Sequence, residues 1–267
     1  MDEKKLEALK PWNELTAEEQ IELKEDAHDR IERAAAQLVL RHPWWAAAYL
    51  HLDMLEGARQ VPTLGVDGRH LYYNPSFVSL LDDEEIIGVL AHETAHCVFQ
   101  HFERVGERDK QVWNIAADAE INYVLDAAGF TLPPGGVPGA HTGTKKGEPT
   151  FNAGQMLAEE IYDILMASAK EMPCGTYGND MRDGDGNSLS DKDATPIDRR
   201  ELGRYWAEVR SQLQGTEPAE IKRIVGETYE PKEDWRALLA RFVSGRRADR
   251  ERSWSRKNRR IPNWAGQ

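Results

Sequence analysis

Cysteine is nearly absent: there are two in 267 residues, Cys97 and Cys174. Two cysteines build no disulfide framework, so packing must hold the core, and a reducing, cytoplasmic setting is expected. Long apolar runs are missing as well. Nothing approaches the roughly 20 residues of a membrane-spanning helix, and the polar first residues are unlike a signal peptide, so no membrane partner is expected. Positive charge is scarce too, with 34 Lys and Arg against 46 Asp and Glu. The deficit is uneven. Between Arg236 and Arg260 ten basic residues face only Asp249 and Glu251. Clustered arginine is an electrostatic footprint for nucleic acid. However, only Trp254 and Trp264 follow Phe242 as aromatics for stacking on bases, which favours a solvated tail that docks on the acidic body or on a partner protein.

What the chain does contain is His92-Glu93-Thr94-Ala95-His96. It lies in a stretch, Glu84 to Arg104, that reads as one amphipathic helix. Four residues advance a helix by about 40° beyond a full turn, so the two imidazoles project side by side and can grip one metal ion. Glu93 sits close enough to reach a water there without being a ligand. Two neutral nitrogen ligands, an open position and an adjacent carboxylate base are what a zinc hydrolase requires. Ile86, Ile87, Val89, Leu90, Val98 and Phe99 flank the motif, so its polar groups are expected to be buried and in need of partners. Cys97 points to another face and reads as a small buried apolar side chain.

The rest of the chain reads as mainly helical α+β. A capping box at Thr16 to Glu19 opens a helix to about Leu40. Pro43 starts a second, whose apolar residues run from Trp44 through Leu55. Val61 to Tyr73 reads as a two-stranded hairpin turning at Asp67-Gly68, and its strand ending at Tyr73 offers an edge for an extended peptide. Asp82 or Asp83 caps the motif helix. A helix over about 110–128 stops near Gly129, followed by an irregular loop, 129–151, and a helix from Asn152 to Ala169. Residues 173–197 form a polar insertion whose Asp183 to Asn187 run fails the calcium-loop pattern, with Ser188 and Ala194 in place of its Gly and Glu. Helices resume over about 199–214, 218–227 and 234–244. One domain is expected over 1–245, with a basic tail over 246–267.

A catalytic zinc needs a third protein ligand. A third histidine six residues after His96 would serve, but that position is Phe102. His101 lies about 140° round a continuing helix, which assigns it a hydrogen-bonding or helix-terminal role. On the next helix Asn114, Asp118 and Asn122 recur every four residues among Ile115, Ile121 and Leu125. Asp118 as ligand, with Asn114 and Asn122 hydrogen-bonding in support, gives that buried polar stripe a purpose. Glu120 is the rival, about 200° away, and both cannot face the metal.

The run Gly88 to His96, followed by Trp113 to Asn122, resembles the metallopeptidase domain of the VWA-like metallopeptidases of bacteria and phages. The stretches Pro62 to Pro75, Glu159 to Tyr162 and Trp254 to Arg260 fit the same pattern. The resemblance implies a zincin-like fold with a small β-hairpin or sheet beside the active-site helix, and it supports the ligand role of Asp118. Members commonly continue into a von Willebrand A-like domain, and this chain stops at about that junction, so partner recruitment is expected either from elsewhere, such as the Arg-rich end, or not at all. The expected activity is a zinc-dependent peptidase with one Zn2+ per chain, held by His92, His96 and Asp118, with Glu93 as general base and a protein or peptide as substrate. His141, Tyr162 and Tyr177 are candidates to steady the developing oxyanion. Two other classes remain: a non-catalytic, metal-stabilised interaction module, and a regulatory peptidase acting on nucleic-acid-bound proteins through the Arg-rich end.

Overall fold

The computed structural model describes residues 12–57, 61–143, 148–168, 181, 198–213 and 221. The basic tail, all but Ile221 of the last two expected helices, Tyr177 and nearly all of the polar insertion lie outside these residues.

Thr16 opens the first long helix as its pattern predicts. Its hydroxyl accepts the Glu19 N–H, and the Glu19 carboxylate accepts the Thr16 N–H. This helix, α1 (Ala17–Arg41), turns Ala27, Ile31, Ala34, Ala35 and Leu38 inward at helical spacing. Pro43 starts α2 (Pro43–Tyr49), buried from Trp44 to its end. The second helix ends sooner than its apolar pattern implies. His51 and Leu52 tighten into three-residue turns, Asp53–Glu56 is a strand (β1), and Leu55 is left 41% exposed. The cause is tertiary: β1 pairs in parallel with β3 (His70–Tyr73), and that pairing overrides a local helical preference.

The expected hairpin is present, with β2 (Leu64–Val66) antiparallel to β3 across Gly68, whose φ of +91° a side chain would resist. Strand order is β1-β3-β2. The strand ending at Tyr73 is therefore central, not an edge, and an added peptide would have to pair with β2 instead. Asn74 caps the short α3 (Pro75–Val78). Asp82 and Glu85 form the capping box of α4 (Asp83–Val98), the motif helix, whose residues from Ile86 to Val98 are all buried.

The motif helix does not run on to Arg104. Phe99 closes it, Gln100 takes a left-handed conformation (φ 58°, ψ 38°), and a separate turn, α5 (His101–Arg104), follows. Gln100 is held there by its Nε2, which donates to Gly203 O at 2.7 Å. Next comes α6 (Lys110–Ala127), capped by Asp109 and closed at Gly129, where φ is +80° and Phe130 N–H reaches back to Leu125 O. The helix expected from Asn152 begins later, as α7 (Ala158–Ala167), because β4 (Ala140–His141) and β5 (Phe151–Asn152) pair antiparallel within the otherwise irregular connection. The last described helix is α8 (Arg199–Leu213).

Together these elements make a mainly helical α+β fold. α4 lies between α1 and α6, with β2 along one flank and α2 and α8 on another; α7 backs α6. At Gly88 the chain of residues 131–132 crosses α4 so closely that a Cβ would collide with the Thr131 carbonyl. No described helix is long and apolar enough to cross a membrane.

Candidate metal centre

α4 and α6 pack against each other, and their polar residues meet inside an apolar contact. His92 Nε2 and His96 Nε2 lie 3.3 Å apart. Asp118 brings Oδ1 to 3.8 Å from His92 Nε2 and 3.4 Å from His96 Nε2. A tetrahedron of ligands about 2.0–2.1 Å from its centre has edges of about 3.3 Å, so the triangle has the size a four-coordinate zinc-type cation needs. All three residues are buried, and together they could hold a metal ion.

The outer hydrogen bonds fix which atoms carry protons. Asn122 Nδ2 donates to Val137 O at 2.7 Å, which leaves its Oδ1 to accept from His92 Nδ1 at 2.8 Å. His92 therefore turns a lone pair on Nε2 inward. On the other side, Glu120 accepts from His101 Nε2 at 2.9 Å. His101 Nδ1 then bears a lone pair, and it lies 3.2 Å from His96 Nδ1, which must supply the hydrogen between them. His96 Nε2 is consequently a lone pair as well. Two imidazole nitrogens and a carboxylate oxygen thus converge at the spacing of ligands around one ion, so the donor set fits a metal. Asn114 Nδ2 donates to Asp118 Oδ2 at 3.1 Å and so fixes which oxygen is presented.

Behind His96 the sequence reading missed a buried network. Arg104 donates to Glu120 (2.8 and 3.3 Å) and to Glu159 (2.9 and 2.6 Å), and Ala158 N–H adds a further contact to Glu120 at 3.0 Å. Burial pushes the Glu120 carboxyl up, but His101 and Arg104 outweigh it and bring its pKa down to about 2. Burial dominates for His101 and lowers it to about 3, although Glu120 opposes the shift. Glu120 is thus an ionised acceptor facing away from the triangle, which leaves Asp118 as the carboxylate that faces it. His101 does take a hydrogen-bonding role, but through a chain reversal rather than along a continuing helix.

Glu93, 2% exposed, lines a cleft together with His92, Asp118 and Asn122. The remaining walls are largely apolar: Leu64, Phe77, Val89, Leu132, Pro133 and Val137. His141 and Tyr162 are not among the lining residues. His141 sits on β4 beside Phe151, and the Tyr162 hydroxyl accepts the Asp109 N–H at 2.9 Å, at the start of α6. Cys97 is buried, and burial pushes its thiol well above the usual range, in keeping with a packing role.

Residues 26–266 match a family described as a putative metallopeptidase domain. An uncharacterized protein of Thermotoga maritima is 30% identical over 219 residues, which cover 73% of this chain and 53% of the relative. The chain therefore spans about half the length of that relative. No solved structure matches it.

Proposed function

Because the chain belongs to the family of putative metallopeptidase domains, we propose that it is a zinc-dependent, zincin-like peptidase that cuts an extended stretch of protein beside an apolar side chain. The observation that carries this reading is the convergence of two imidazole nitrogens and one carboxylate oxygen at the wall of a cleft that also holds Glu93.

His92, His96 and Asp118 would hold the cation, which supplies, when bound, Lewis acidity toward water and the scissile carbonyl oxygen. Zinc is the choice that two nitrogens and one oxygen in a compact triangle favour. Glu93 takes a proton from the attacking water as its oxygen bonds to the carbonyl carbon, then returns that proton to the amine as the C–N bond breaks. The anionic Asp118 makes the centre less positive than a third histidine would, so more of the activation falls on Glu93.

Substrate placement follows from the sheet. Asn74 N–H bonds Thr63 O and Asp67 N–H bonds His70 O, so alternation along β2 turns the Leu64 backbone groups away from β3. Thr63 and Leu64 line the cleft, and a peptide extended through it would pair there. Beyond Leu64 the position is taken, since Val66 bridges to Met181. The Leu64, Val89, Leu132 and Val137 walls would receive an apolar substrate side chain.

Glu93→Gln is the test. Cleavage of an unfolded protein should fall by roughly 10²–10⁴-fold while bound zinc and the unfolding midpoint are kept. Cleavage at the wild-type rate by the zinc-loaded variant would overturn the assignment of Glu93.

A further inference from the structure

We propose that His101, Glu120 and Arg104 form a relay that locks His96 into the tautomer able to bind metal, with His101 as a positioning residue. The inference rests on the metal reading above for what His96 holds, but its hydrogen-bond chain is a property of the protein alone.

The chain is complete atom by atom. His96 Nδ1 and His101 Nδ1 are 3.2 Å apart, His101 Nε2 is 2.9 Å from Glu120 Oε2, and both histidines and Glu120 are fully buried. A nitrogen–nitrogen hydrogen bond has no fixed direction by itself, because either ring can donate. Glu120 supplies the direction. Held by Arg104 and by the Ala158 N–H, it can only accept, so it takes the single proton of a neutral His101 on Nε2. The hydrogen between the rings must then belong to His96 Nδ1. This turns His96 Nε2, the nitrogen that would bind the ion, toward Asp118 and His92.

The rest of the packing holds His101 in that pose. Its carbonyl accepts the Trp113 indole N–H at 3.1 Å, and its ring meets those of His96, Phe99 and Trp113 edge-on. Arg104 ties Glu120 of α6 to Glu159 of α7, so the acceptor is anchored to two helices. His92 needs no such device, because Asn122 directs it. The two histidine ligands are thus set in the same tautomer by unrelated means, an amide for one and a histidine–carboxylate pair for the other.

Two readouts test the relay. Nitrogen NMR of the imidazoles in metal-free protein at neutral pH should show His96 protonated on Nδ1 and His101 on Nε2. His101 protonated on Nδ1 would overturn the proposal. Zinc affinity, measured by chelator competition, should weaken by roughly 10–100-fold in His101→Phe, which keeps the ring volume without the nitrogens. His101→Asn places an amide oxygen near the Nδ1 position and should recover most of that loss. Affinity of His101→Phe equal to wild type would also overturn the relay, and the wild-type NMR decides the question even if that variant does not fold. Zinc uptake by the wild type is read separately, so failure of the metal centre is distinguishable from failure of the relay.

Discussion

At the scale of single residues, two carboxylates on one helix have opposite assignments. Asp118 points at the two imidazoles, and Glu120 points at His101 and Arg104. Zinc content should therefore drop from about one per chain to near none in Asp118→Ala, since two histidines alone leave a catalytic-type site short of a ligand. Glu120→Gln should retain zinc but lose stability, because Arg104 would keep Glu159 as its one carboxylate partner in a buried setting; breaking such a pair costs about 3–5 kcal/mol. Elemental analysis beside chemical denaturation separates the two, and loss of zinc from Glu120→Gln with zinc kept in Asp118→Ala would reverse the assignment. The Asn114, Asp118, Asn122 stripe was legible in the sequence because a period of four on a helix needs no tertiary knowledge. What became of Glu120 was not, since its partners come from two other elements: His101 and Arg104 on α5, and the Ala158 backbone on α7.

At the scale of elements, the decisive event is the break after Val98. Gly or Asn commonly marks a left-handed helix stop, and here the position is Gln100. A non-glycine residue in that conformation costs about 1–2 kcal/mol, offset here by a hydrogen bond to Gly203, about 100 residues further along the chain. A signal so remote cannot be seen locally, which is why the motif helix read as continuous and His101 was turned the wrong way. Gln100→Gly should change stability by less than about 1 kcal/mol, as relief of strain offsets the lost bond. Gln100→Val should cost about 2 kcal/mol or more, because a β-branched side chain resists positive φ. Equal urea midpoints for the two variants would show that the turn does not depend on that conformation. The same limit explains β1, whose Leu55 looked like part of a helix until its partner, β3, was known. Caps, by contrast, were legible, because Thr16 with Glu19 and Asp82 with Glu85 are contacts across three residues.

For the molecule as a whole, the buried network makes a statement about acid. His101 is held down to a pKa of about 3 mainly by burial, and Glu120 is brought to about 2 against burial by His101 and Arg104. In an unfolded chain the same groups titrate near 6.5 and 4.5. Between those values and the folded ones the unfolded state takes up protons that the folded state refuses, so both groups act in one direction. Their stabilisation is whole above pH 6.5, where neither state is protonated. It declines as pH falls, first through His101 and then, below about 4.5, through Glu120 as well. Joined by a hydrogen bond, the two groups stabilise the fold as a pair at neutral pH and lose that contribution in acid. Thermal unfolding of the metal-free protein should therefore show a midpoint that is level from pH 7 to 8 and falls steeply from pH 6 to 4. His101→Asn removes the first of the two titrations, so its midpoint should begin to fall only near pH 4.5, from a lower plateau. A wild-type midpoint that stays level down to pH 4.5 would mean that His101 is not held neutral inside the fold. The direction of the His101–His96 hydrogen bond, and with it the relay, would then lose its foundation, while the ligand triangle of His92, His96 and Asp118 would stand on its geometry.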